Sequence, residues 1–157
     1  IFGHRKIRQA IGDIQVATGE HCQNRIIFKQ LIVNDAIDVV QIDACRLAGL
    51  NEMLTVYVLA AKYGKIVCPH AGGVGLCEYV QHISIIDYVM ISAEIGDRVI
   101  EYVDHLHEHF EDPCVIQRGK YQTPQASGFS IKMHQDSIER FSYPDGAEWV
   151  ARIKKPH

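Results

Sequence analysis

The sequence predicts an α/β domain built on a parallel sheet. Short β-branched apolar runs alternate with amphipathic helical stretches of about 10–15 residues, the pattern of βαβ units. Strand residues of such a sheet, buried on both faces, should be apolar. Three successive runs also end in a titratable residue: Glu20, then Asp43 after 23 residues, then His70 after a further 27.

The elements follow in order. Ile14–Glu20 (IQVATGE) reads as a first strand, and NRIIFKQLIVNDA as a helix that Asn24 caps. Ile37–Asp43 (IDVVQID) reads as a second strand. LNEMLTVYVLAAKYG carries Leu50, Leu54, Tyr57, Val58 and Ala61 at helical spacing, with Gly64 placed to end the helix. KIVCPH is a third strand, and VGLCEYVQHIS is a helix with Leu76, Val80 and Ile83 on one face. Tyr88–Ser92 (YVMIS) reads as a fourth strand. Beyond Pro113 the pattern is less regular. CVIQRGKYQTP is a further strand candidate, Gly119, Pro124, Gly128, Pro144 and Gly146 mark turns, and Trp149 is expected to pack in a core rather than bind ligand.

Composition narrows the function. A 157-residue chain, 47% hydrophobic, can bury a core as one domain. A net charge of −3 with mixed signs gives no basic stripe for nucleic acid. No apolar run reaches the roughly 18 residues of a membrane span. Five cysteines without a CxxC spacing fit free thiols in a reducing compartment, so a cytoplasmic location is expected.

Titratable groups closing three strands are a departure from an all-apolar buried sheet. In parallel α/β folds ligands gather at the C-terminal strand ends, so the three groups are placed to converge on one face. Adjacent strands lie about 4.8 Å apart. Asp43 is then within reach of the His70 ring, fixing its tautomer and leaving a nitrogen for proton transfer. Glu20 is placed to bind a hard divalent cation. Each group also has an ordinary structural reading: Glu20 as an acid near a helix N-terminus, Asp43 as a turn residue, His70 as a loop histidine. DHLHEHFEDP offers a different possibility, a small metal-binding protein using His105, His107 and His109 at alternate positions.

VATGEHCQNRIIFKQL, VVQIDACRLAGLNE and VCPHAGGVGLCEYVQH resemble the mandelate-racemase-type acid-sugar dehydratases of the enolase superfamily, in particular those acting on L-fuconate. EYVDHLHEHF and YPDG are similar as well. The resemblance implies the C-terminal part of a (β/α)7β TIM-type barrel, with residues 1–112 as the C-terminal half of the barrel. Residues 113–157 would form a C-terminal segment closing against a capping domain. It implies Mg²⁺ with Glu20 as one ligand, an acid–base dyad of His70 and Asp43, and a substrate pocket that includes His70, Ala71, Gly72 and Glu101. The implied reaction is loss of water from an acid sugar: a lysine on an earlier strand takes the α-proton, and His70 protonates the departing hydroxyl. The Lys-x-Lys motif and the other two metal carboxylates have no match in this sequence. A barrel needs about 250 residues, so the open sheet edges are expected to be closed by the remainder of the same polypeptide or by a homo-oligomer. An inactive fragment or interaction module is the alternative, and this chain alone is expected not to turn over substrate.

Overall fold

The structure, a computed structural model, describes residues 1–96 and 98–153. Helix α1 (Phe2–Ala10) precedes three β/α pairs: β1 (Ala17–Thr18) and α2 (Arg25–Val33), β2 (Val39–Val40) and α3 (Leu50–Lys62), β3 (Ile66–Val67) and α4 (Leu76–Asp87). The strands form one parallel sheet in the order β1-β2-β3, with Ala17 opposite Val39 and Val39 opposite Ile66. Both outer edges of this sheet are unpaired among the described residues, whereas a closed barrel has no edges.

Asn24 caps α2 as its sequence position predicts, its side chain accepting from the amides of Ile26 and Ile27. One α2 face, Phe28, Leu31 and Ile32, is buried against Ile37, Val40 and Ile42. Full burial of a side chain such as Phe28 contributes about 1.5–3 kcal/mol. Glu52, in the first turn of α3, accepts from the Arg25 amide (2.6 Å) and from Arg25 Nε (2.7 Å), which ties the starts of α2 and α3 together. Helix α1 has no buried residue, and Arg8 anchors it through Nε to Asp38 (2.7 Å).

The buried face of α3 is Met53, Val56, Tyr57 and Ala60, while Val58 is 59% exposed, so the stripe expected from the sequence is rotated by about one residue. This helix is apolar over most of its circumference, so spacing alone did not settle which face packs. Tyr88–Ser92 is not a strand. It continues α4 as a π-helical turn, with the Ala93 amide bonding to the Tyr88 carbonyl. Val80, Ile83 and Asp87 are buried at helical spacing, and Ile91, next in that series, packs on the core. Packing here overrides the strand preference of the β-branched and aromatic residues.

After α4 the chain makes a 3-10 turn (His107–His109), a hairpin of β4 (Ile116–Gln117) and β5 (Lys120–Tyr121), and helices α5 (Gln135–Phe141) and α6 (Ala147–Ile153). Arg118 and Gly119, both at positive φ, form the hairpin turn, and Arg118 and Lys120 are exposed. Segment 113–153 is stitched back through the Phe110–Met133 bridge and through Ser130, whose hydroxyl donates to Asp112 (2.7 Å) and meets His82 Nε2 (3.0 Å). Trp149 does not enter the core. It is 37% exposed, donates to the Phe141 carbonyl (2.9 Å) and meets Tyr143 edge-on. No described helix is long and apolar enough to cross a membrane.

Two stability effects follow. Asn24→Ala leaves two α2 amides without an acceptor and lowers stability by about 1 kcal/mol, with Asn24→Ser recovering most of it; urea denaturation reads both. Burial opposes ionisation of Asp38, but the Val16 amide and Arg8 outweigh it and hold this carboxyl below the usual range. Because the folded-state value is depressed, its stabilisation is present above the ordinary aspartate range and is lost as pH falls through about 4 and below. Asp38→Asn should flatten that part of a stability-against-pH curve.

Candidate active site

Parallel pairing continues past the formal strand ends. The Gln41 amide bonds to the Thr18 carbonyl (3.0 Å), the Cys68 amide to Val40 (3.0 Å) and the His70 amide to Ile42 (2.8 Å). Glu20, Asp43 and His70 follow directly on these pairings and stand on the same C-terminal rim of the sheet.

Gly19 sets the position of Glu20. Its φ is +139°, and a Cβ there would lie 2.5 Å from both the Gln41 carbonyl oxygen and Phe28 Cε1. The chain crosses this tight point only without a side chain. Glu20 then turns its carboxylate back onto the Gly19 amide (3.1 Å) and the Thr18 hydroxyl (3.4 Å). Its own amide, and to a lesser degree that of Gly19, hold the carboxyl below the usual range against a partial burial cost. It is thus an ionised, one-third exposed oxygen donor. Asn24, rather than Glu20, caps α2.

The two oxygens of the buried Asp43 are divided. Oδ1 accepts from the Cys45 amide (2.7 Å), closing the turn that follows the strand, and Oδ2 faces His70 Nε2 at 3.9 Å. The turn contact is a hydrogen bond, whereas the approach to His70 is longer than one. The shortest contact of the His70 ring lies on its other side, where Nδ1 is 2.6 Å from Glu101 Oε2. The same Glu101 oxygen accepts from the Ala71 amide (2.5 Å). His70 is therefore bracketed by two carboxylates. Gly72 folds against the ring: a Cβ there would come within 2.6 Å of His70 Cε1. Glu101 lies in an extended loop that pairs with no strand, held by the Tyr121 hydroxyl donating to its carbonyl (2.7 Å).

The structure thus brings Asp43, His70, Ala71, Gly72 and Glu101 together, with Glu20 on the same rim. It does not gather His105, His107 and His109. His105 is exposed, His107 Nδ1 contacts Glu78 (2.6 Å), and His109 Nδ1 contacts Ser137 (3.0 Å). Alternate spacing shares one face only on a strand, whereas His105 lies in a bend and His107 and His109 in a 3-10 turn. Sequence reasoning missed the bond from Glu101 to His70, because 31 residues and an irregular loop separate them. It also missed Glu78, although an acid beside Leu76, Cys77 and Val80 on a helix was a visible sign.

Mg²⁺ calls for near-octahedral oxygen ligation, commonly one or two carboxylates with water and substrate. Glu20 fits as one such donor. Among the described residues it belongs to no group of three or more side-chain donors converging within 4.8 Å.

A parallel β/α sheet with carboxylates and an imidazole gathered on its C-terminal rim defines the class: part of a TIM-type barrel. Residues 1–137 match the family described as Enolase C-terminal domain-like, and the chain belongs to that family. It is 54% identical over 153 residues to L-galactonate dehydratase of Hypocrea jecorina and 52% identical over 151 residues to human Mitochondrial enolase superfamily member 1; each match covers 95% of this chain and 34% of the relative. The crystal structure of that human protein superposes with a TM-score of 0.94 at 49% identity, over 98% of this chain and 35% of that one. L-talarate/galactarate dehydratase from Salmonella typhimurium LT2, liganded with Mg and L-lyxarohydroxamate, gives a TM-score of 0.71 at 27% identity, covering 86% of this chain and 32% of that one. The chain spans about a third of the length of the curated relatives it matches, and its fold is the C-terminal part of an enolase-superfamily TIM barrel.

The packing of Gly72 on the ring has a direct test. Gly72→Ala should shift the His70 Cε1–H resonance in a proton–carbon NMR spectrum while far-ultraviolet circular dichroism stays unchanged. An unmoved resonance would contradict the contact.

Proposed function

We propose that the protein carrying this chain is a hydro-lyase that removes water from an acid sugar, with L-fuconate as the favoured substrate among related sugar acids such as L-galactonate and galactarate. The observation that carries this reading is the His70 ring, one-quarter exposed on the barrel rim between Asp43 and Glu101. The relatives that are named dehydratases of sugar acids support the reaction class.

Dehydration of an α,β-dihydroxy acid breaks the Cα–H and Cβ–O bonds. A base accepts the α-proton, an acid protonates the departing hydroxyl so that it leaves as water, and the enol tautomerises to a 2-keto-3-deoxy acid. His70 is the acid. It carries its proton to the β-oxygen, and the resulting neutral ring is held in place by Glu101 on Nδ1 and by Asp43 nearby. The roles of Ala71 and Gly72 are to line the pocket and leave room for the sugar chain beside the ring. Glu101, besides holding His70, is placed to touch substrate. The α-proton base is supplied by another part of the barrel, as are the remaining metal ligands, so this chain by itself is inactive. Bound Mg²⁺ would draw charge from the substrate carboxylate as the α-proton leaves, and Glu20 would be one of its ligands. The remainder of the same polypeptide covers the open edges of β1 and β3. The five free cysteines suit a reducing compartment.

The test uses the complete barrel protein, a panel of sugar acids and a carbonyl-specific assay for the 2-keto product. His70→Asn should lower kcat by about 10²–10⁴, the usual range for a general acid, with a smaller rise in KM. Glu20→Gln should raise the Mg²⁺ concentration needed for activity. Unchanged turnover in His70→Asn would sink the proposal.

A further inference from the structure

Away from the barrel rim, three side chains from separate segments converge: Cys77 in the first turn of α4, His107 in the 3-10 turn and Cys114 in the loop after it. One ligand atom from each lies within 4.8 Å of the others. We infer that Cys77, His107 and Cys114 form a binding site for a borderline-soft divalent cation of the zinc type, which locks the 103–114 segment onto helix α4.

The donor chemistry selects the metal. Two sulfurs and an imidazole favour zinc over magnesium or calcium, which prefer oxygen. Zn–S bonds of about 2.3 Å and Zn–N bonds of about 2.0–2.1 Å in a tetrahedron place sulfur and nitrogen about 3.6 Å apart. Cys114 Sγ and His107 Nδ1 are 3.7 Å apart. The supporting contacts are those of a ligand histidine. Nε2 donates to the Val103 carbonyl (2.8 Å), which fixes the tautomer and leaves Nδ1 for the metal. The Val103 amide donates to Cys77 Sγ (3.5 Å), a contact that favours a thiolate.

Glu78 adds a second argument. Its side chain is 1% exposed, and its Oε1 takes bonds from His107 Nδ1 (2.6 Å) and the Cys114 amide (3.3 Å). A buried carboxylate calls for a cation. Without metal, the Nδ1 proton answers that need. Metal binding displaces this proton and those of the thiols; a dication with two thiolates is neutral, so Glu78 keeps a cationic partner by taking the fourth ligand position itself. Of the two thiols, Cys77 is held below the usual range because the Cys114 thiol donates to it, and Cys114 is correspondingly raised.

The experiment takes the 157-residue chain, reduced and stripped with a chelator, and titrates it with Co²⁺. One equivalent should give thiolate-to-cobalt charge-transfer absorption and tetrahedral d–d bands that Zn²⁺ abolishes. Cys114→Ser should lose the charge-transfer band, while Cys45→Ser, at an exposed thiol, keeps it. Because Cys77 is buried, a second measurement uses the unaltered chain. Zn²⁺ should slow iodoacetamide alkylation of Cys114, the more accessible of the two thiols, by about 10-fold or more, since coordination ties up the thiolate that reacts, and leave Cys45 unaffected. Absence of cobalt–thiolate absorption, bands that survive Cys114→Ser, alkylation indifferent to Zn²⁺, or a Cys77–Cys114 disulfide in freshly purified zinc-free chain would each overturn the inference. None of these readouts depends on dehydratase activity.

Discussion

The hydrogen bond from the His70 amide to the Ile42 carbonyl carries the parallel register beyond β3, and the rim depends on it. Parallel strands start level and end level only while this ladder holds. The pairings at Gln41, Cys68 and His70 keep three chain segments in step to the point where each turns away. Side chains separated by 23 and 27 residues then meet at one end of the sheet. The ladder is itself held from the outside, by α2 and α3 clamped through Arg25 and Glu52 and by the core around Phe28, Ile37 and Val56. Core packing and site geometry are thus one problem in this domain.

The two carboxylates around His70 do different work. Asp43 is buried, spends one oxygen on the turn after its strand, and reaches the ring at ion-pair distance. Glu101 is more open, comes from an irregular loop, and makes the short contact. By accepting from the Ala71 amide as well, Glu101 couples ring orientation to the backbone of the loop that follows His70. A ring held from both sides loses little freedom when a ligand arrives.

Much of this was legible in the sequence, for identifiable reasons. Strand and helix order from β1 to α4 follows from apolar periodicity, whereas α1 was not foreseen, and Asn24 declares its helix start. Glu20, Asp43 and His70 stand out because they end runs that are otherwise apolar. What was hidden depends on contacts rather than pattern. The face of α3 was ambiguous because Leu50–Lys62 is apolar on several sides. Tyr88–Ser92 has strand-like composition, but Ile91 continues the packing of α4 and keeps the segment helical. Trp149 was expected in a core formed where the C-terminal segment meets a capping domain; within this chain it stays partly exposed beside Tyr143. Glu101 carries no local signal, and only the fold brings it to His70.

The glycines at the rim differ in what their replacement would disturb, and this shapes how the site can evolve. At position 72 the obstacle is a side-chain ring, so a lineage that first lost the histidine at 70 would be free to accept alanine there afterwards. At position 19 one obstacle is the backbone oxygen of Gln41, and φ is positive. No second substitution removes a main-chain atom, so that glycine is closed to compensation. Descendants of this domain that lose His70 should therefore drift at 72 long before they drift at 19.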